Sequence, residues 1–178
     1  MRREVGKTAR ARARSEIGGE TPEVSVRHAT ERDLAMVLEL RLALLREHHR
    51  NLIYRRVRAD LRERARELYA AQLRSPREVT LLAVRDDAAI GILRCVENAG
   101  YPLLLPPRYG YVSSVYVRPD SRRAHVLSAL LSEAMRWCRA RGLTEMRLHS
   151  TVENEPANAA WEALGFEVVE HLRVRQIQ

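Results

Sequence analysis

Lysine is almost missing from this chain: among 178 residues Lys7 stands alone, and arginine takes its place everywhere else. The simplest cause is a GC-rich coding genome, not selection for nucleic acid. Cysteine is equally scarce. Cys95 and Cys138 fit no metal spacing and no disulfide framework, which argues for a reducing interior. No apolar run approaches the roughly 20 residues of a membrane span, and the N-terminus lacks a secretory apolar core. The cytoplasm is therefore the expected location. No triad of metal ligands with helpful spacing is visible, so no metal is expected.

What is present suits one soluble domain with a real core: 46% hydrophobic and 30% charged residues. The net charge of +8 is concentrated at one end, since residues 1–15 hold six basic groups and one acid. Basicity therefore says little about the rest. Residues 1–22 show no apolar periodicity and read as a disordered basic arm that would adhere to polyanions, or fold as a helix on an anionic partner. The arm alone supports a nucleic-acid reading, which is disfavoured. Residues 23–178 form the expected domain.

Its pattern is a strand near 24–26, then Thr30-Glu31-Arg32-Asp33, which resembles a capping box with Asp for Glu. A strongly apolar helix follows from Leu34, and a charged helix over 51–73 ends at Ser75-Pro76. Residues 79–84 and 89–96 form a hairpin around Asp86-Asp87, and 98–107 form a loop. Further strands are expected over 109–117, 144–150 and 166–176. They alternate with helices from Leu127 to Gly142 and over 156–164. The order β α α β β β α β α β predicts a mixed α/β architecture. Its sheet is mostly antiparallel, with six to seven strands, helices on both faces and one parallel pair.

Residues 115–131, VYVRPDSRRAHVLSALL, carry the chemistry. An apolar strand reaches a proline, then two arginines, then an amphipathic helix. Helix N-termini present free N–H groups and partial positive charge, so a basic loop feeding one is a place to hold phosphate. Solvated arginines, common in this chain, are the plainer reading.

Together with the element order, two motifs resemble the GNAT superfamily of N-acetyltransferases. In the first, Val115, Val117, Pro119 and Arg122 match the family's strand, proline and Arg-x-x-Gly-x-Gly/Ala run. The second is Asn154-x-x-Ala157-x-x-x-Trp161-x-x-x-Gly165-Phe166, where the family has Tyr at the Trp position. Residues 26–34 also resemble the family's first strand and helix, and the likeness spans about residues 24–170.

The resemblance implies acetyl transfer from acetyl-coenzyme A, as co-substrate, to a primary amine of a small molecule or protein. It places the diphosphate cradle on Arg122, Arg123, Ala124, His125, Val126 and Leu127. It places a backbone donor for the thioester oxygen at Val117, beside Val115 and Tyr116. Cofactor contacts fall on Asn154 and Trp161. Departures are plain. Both cradle glycines are replaced, by His125 and Leu127; His125 tolerates positive φ, whereas the bulk of Leu127 lies near the diphosphate. Ser113 stands where many relatives carry a glutamate, and Trp161 replaces a tyrosine that protonates the leaving thiolate. His149 and Glu153 are candidate bases, although a surface histidine is the plainer alternative. His48 and His49 lie where the family contacts acceptors, or form a solvated turn. Asn154 could be a helix cap and Trp161 a core filler. The resemblance leaves a homodimer open. A catalytically impaired ligand- or protein-binding module is the alternative function.

Overall fold

The computed structural model describes residues 23–177; the basic arm at 1–22 lies outside them. One five-stranded sheet organises the chain: β1 (Ser25–His28), β2 (Glu78–Arg85), β3 (Ala88–Ala99), β4 (Arg108–Val117) and β5 (Met146–Leu148), in that spatial order. The first four strands pair antiparallel, and β4 pairs parallel with β5. The parallel pair is the consequence of the β4–helix–β5 crossover expected from the sequence. Four helices complete the fold: α1 (Leu34–Glu47), α2 (Leu61–Arg74), α3 (Val126–Ala140) and α4 (Glu155–Ala163).

Strand alternation builds two cores. One sheet face directs Leu81, Leu93, Cys95 and Val112 against Val126, Leu130, Leu131, Ala134 and Cys138 of α3. The opposite face directs Leu82, Ile92 and Tyr116 against Val37, Leu38 and Leu42 of α1 and Ala65 and Tyr69 of α2. Period two in the strands and three-to-four in the helices make each face continuous. The β2–β3 hairpin closes through Asp86 and Asp87, with φ of 49° and 61°. Two left-handed residues match the right-handed strand twist, and aspartate tolerates that conformation.

Two expectations need correction. Residues 51–60 are turns, and α2 starts only at Leu61. The Asn51 side chain accepts the Ile53 N–H at 2.9 Å, a local bond that competes with helix, and Leu52, Ile53, Tyr54 and Val57 are exposed. The strand expected over 166–176 does not form, so the sheet has five strands. Val168, Leu172 and Val174 alternate as a strand would but lie exposed, as does Val169, because β5, at the sheet edge, is only three residues long and gives them too short a partner. The two cysteines, far apart in sequence, meet in the α3-side core with Sγ atoms 3.7 Å apart; both are free thiols.

Candidate active site

The site is created where two neighbouring strands part. β5 pairs with Gly110, Tyr111 and Val112 of β4 and no further, so Ser113 to Val117 have an open edge. On the other edge, the β3–β4 register slips by one residue between Ile92/Tyr116 and Arg94/Ser113. The extra residue is accommodated at Ser114, whose φ is 53°. Such a bulge bends the strand and interrupts the ladder.

Past the bulge, the direction of each backbone group follows from one bond. The Arg118 N–H donates to the Ile90 carbonyl at 2.8 Å, which makes that a hydrogen-bonded pair. Gly91/Val117 is then a non-bonded pair, and the Val117 N–H and C=O point towards the open edge. The Val117 carbonyl accepts from Arg122 Nε at 3.0 Å, and its N–H faces the gap.

The phosphate-type loop runs through a 3-10 turn (Pro119–Ser121) into α3. Ser121, 1% exposed, pins it: its hydroxyl donates to Asp120 Oδ1 at 2.9 Å and accepts from Arg85 Nη2 at 2.6 Å. Arg123 and His125 have φ of 62° and 56°. The left-handed turn that glycine makes cheaply is therefore retained without glycine, at a cost of roughly 1–2 kcal/mol per residue. Among the described residues two glycines are left-handed, Gly142 and Gly165, and they end α3 and α4 instead. Among the described residues, no side chain caps α3 and no acid sits in its first turn. Its first N–H groups are thus free for an anion. Ala124 is exposed, Val126 is buried and Leu127 is half-buried. Gly91 lets this helix end approach β3, since a Cβ there would meet Val126 Cγ1 at 3.0 Å.

Arg122 is already engaged. Besides Val117 it reaches Glu47 of α1, with Nη2 to Oε1 at 2.5 Å, and its guanidinium lies 5.9 Å from the centre of the Tyr116 ring. It bends over the end of β4 instead of extending along the helix start.

On the α1/α2 face, the Ser113 hydroxyl accepts from Arg94 Nη1 at 3.2 Å, and Arg94 is ion-paired with Glu78 of β2. At the apex of the split, His149 Nδ1 lies 2.9 Å from the Tyr111 hydroxyl, with the rings edge-on. Burial raises the Tyr111 phenol above its ordinary range, so it stays protonated near neutral pH. Sequence reasoning selected His149 and Ser113 but missed Tyr111, Arg94 and Glu78. Alternation along β3 and β4 could have placed Arg94 and Tyr111 on this face; nothing local could have brought Glu78 to them.

The second motif does structural work. Asn154 caps α4, its side-chain oxygen accepting the Ala157 N–H at 3.3 Å. Trp161 is buried and packs edge-on against Phe166, ring centres 5.4 Å apart. Gly165, with φ of 85°, permits the turn that brings Phe166 back. Glu153 is exposed in the turn before α4. His48 stacks obliquely on Tyr54 at 5.6 Å, and His49 Nδ1 lies 2.8 Å from the Arg46 carbonyl, so these two serve the α1–α2 turn. A separate shallow hollow of about 490 Å³, between Ala29–Arg32 and Leu73–Arg74, has its Arg74 and Glu31 paired and lies away from the split.

The site thus joins a bulged strand parting from a parallel neighbour to an uncapped helix start. The family model "Acetyltransferase (GNAT) family" matches residues 41–166, and the chain belongs to that family. Solved structures share the fold. A predicted acetyltransferase with acetyl-CoA from Clostridium acetobutylicum is 17% identical, with TM-score 0.71, over 86% of this chain and 96% of that one. An aminoglycoside 6'-N-acetyltransferase from Acinetobacter haemolyticus is 22% identical, with TM-score 0.70, over 86% and 98%. A GCN5-related N-acetyltransferase from Ralstonia eutropha is 21% identical, with TM-score 0.70, over 86% and 99%. A sequence search of curated proteins finds no match.

Proposed function

We propose that the protein transfers an acetyl group from acetyl-coenzyme A to a primary amine by direct attack. The observation that carries this is the Val117 N–H facing the gap between β4 and β5, beside the uncapped start of α3. The first N–H groups of α3, with the left-handed Arg123 and His125, receive the diphosphate; the pantetheine chain then runs into the split. The neutral amine approaches from the α1/α2 side and attacks the thioester carbon. Negative charge develops on the carbonyl oxygen, where the Val117 N–H donates to it. Collapse breaks the carbon–sulfur bond and releases the amide and the thiol of coenzyme A.

The Tyr111–His149 pair supplies the proton transfers in this reading. In the working tautomer, His149 Nδ1–H donates to the Tyr111 oxygen. His149 Nε2 then takes the proton of the attacking nitrogen, and the Tyr111 O–H gives one to the departing sulfur. Ser113 holds a water in line with them. Trp161, packed in the core, takes no part in proton transfer, and Asn154 supports the site by fixing α4.

The cytoplasm is the proposed location; no helix among the described residues is long and apolar enough to cross a membrane. Calorimetry with acetyl-coenzyme A, followed by thiol release with an amine panel, tests the proposal. Binding with turnover is expected. No binding at millimolar cofactor refutes it. The Arg122–Glu47 contact favours a second reading, an impaired module that binds ligand without turnover; release of coenzyme with any amine rules that reading out.

A further inference from the structure

Three rows of side chains cross the α1/α2 face of the sheet. Leu82, Ile92 and Tyr116 form an apolar row beneath α1. Next come Thr80, Arg94 and Ser113, register partners across β2, β3 and β4. Beyond them lie Glu78, Val96 and Tyr111. The polar rows run to the split through Ser113, where the amine must enter.

Arg41 of α1 joins this face. Its guanidinium stacks 3.7 Å from the centre of the Tyr69 ring, and Nη1 donates to Gln72 Oε1 at 2.5 Å. Burial lowers its pKa to about 10; Tyr69 and Glu78 pull it up and Arg94 pushes it down, so Arg41 lies within electrostatic reach of all three. Glu78 is the single acid in the group and it is ion-paired with Arg94. Among the described residues Arg41 has no ion-pair partner. Two half-buried cations thus share one anion, an imbalance that an added anion would relieve.

The neighbouring acids offer no relief. Glu39 is paired with Arg118, Glu47 with Arg122, and Asp60 with Arg58 and Arg64. The α1–α2 connection at 48–60, whose Tyr54 is close enough to influence Tyr111, holds four arginines against one acid. A polycationic acceptor would meet net positive charge here. An acceptor with an anionic group would supply the missing counter-charge to two planar guanidinium forks, which suit carboxylate and phosphate oxygens.

Building on the acetyl-transfer reading, we propose that the acceptor is an amine that also carries a carboxylate or phosphate group, held by Arg41 and Arg94 on the α1/α2 side of the split. The anionic group docks beneath α1 and α2, and the amine projects towards the thioester.

The full chain with saturating acetyl-coenzyme A is assayed for thiol release with matched acceptors: amino carboxylates, phosphoethanolamine, ethanolamine and an aminoglycoside. An anionic amine should exceed ethanolamine by about 10-fold or more in kcat/KM, mostly through KM. Whether carboxylate or phosphate leads identifies the group. Arg41→Met should remove the preference, while Arg41→Lys retains part of it; thermal melting confirms that both variants fold. Equal rates for ethanolamine, or a preference for the aminoglycoside, overturn the proposal and leave acetyl transfer standing. If nothing turns over, calorimetry of the same acceptors on the acetyl-coenzyme A complex decides. Arg41-dependent binding of an anionic amine upholds the acceptor class and refutes acetyl transfer, and no such binding overturns the acceptor class.

Discussion

Arg122 Nη2 lies 2.5 Å from Glu47 Oε1, so an acid of α1 holds one of the two arginines that lead into α3. Both side chains are substantially exposed, and pairs of this kind are worth only about 0–1 kcal/mol. The contact can therefore yield to a phosphate. Glu47→Gln should release Arg122 and tighten acetyl-coenzyme A binding by about 2- to 5-fold. Calorimetry checks this; an unchanged or weaker affinity means that Arg122 never turns to the diphosphate.

His125 is left-handed at the entrance to α3. His125→Gly removes a strain of roughly 1–2 kcal/mol but adds unfolded-chain freedom worth about 0.5–1 kcal/mol. A net stabilisation of up to about 1 kcal/mol is expected from those two figures. His125→Val, with a β-branched side chain at the same φ, should destabilise. Urea midpoints that rank Val above Gly would contradict the left-handed turn.

Gly110 is squeezed between two sulfurs. A Cβ there would lie 2.6 Å from Cys138 Sγ and 3.3 Å from Cys95 Sγ, both buried. Gly110→Ala should cost about 1–3 kcal/mol by overpacking. Adding Cys138→Ala removes the closer sulfur, so the double variant should lose less than the two single losses added together. Additive losses in urea unfolding would show that the clash is relieved some other way.

Asp33 accepts Arg27 Nη2 at 2.7 Å, Arg27 Nη1 at 2.9 Å and the Thr30 N–H at 2.8 Å. The Arg27 hydrogen bonds chiefly, with help from Thr30, hold its pKa at about 2 against an ordinary 3.8. A depressed folded pKa stabilises above the unfolded value, and that contribution disappears as pH falls from about 4 through about 2. Allowing for the half-exposed Arg27, its size is about 1–2 kcal/mol. Asp33→Asn should lower stability at pH 6 and flatten its pH dependence in that window. An unchanged slope would mean that Asp33 is not the titrating group.

The Tyr111–His149 pair should appear in the chemical step. Loss of general acid–base help removes about 10²-fold or more in rate, so His149→Ala should lower kcat on that scale with little change in KM for acetyl-coenzyme A. Tyr111→Phe should lower kcat in the same way. A His149→Ala enzyme with unaltered kcat would leave water as the base.

Much of the architecture was legible because it rests on short-range rules. Short apolar runs at 79–84 and 89–96 marked both strands of the hairpin, and Asp86-Asp87 marked their turn. Apolar spacing from Leu130 to Cys138 marked the buried side of α3. The strand over 166–176 failed because alternation states only that a segment could pair, whereas pairing needs a neighbour of matching length, and the edge strand β5 has three residues. The early start for the second helix failed because charge-rich sequence shows little period, and the Asn51 turn won locally.

In the site, the motif residues lay in sequence order on one loop, so spacing located the α3 start without coordinates. The chain by itself determined most of its elements, its helix caps and the basic loop that leads into α3, since each is set by residues a few positions apart. Tertiary structure alone decided that β5 leaves β4 after Val112, that Glu47 holds Arg122, and that Arg41 of α1 comes within electrostatic reach of Glu78 and Arg94 on the sheet. Those relations join residues tens of positions apart, and only packing α1 and α2 over the sheet brings their charges within reach of one another.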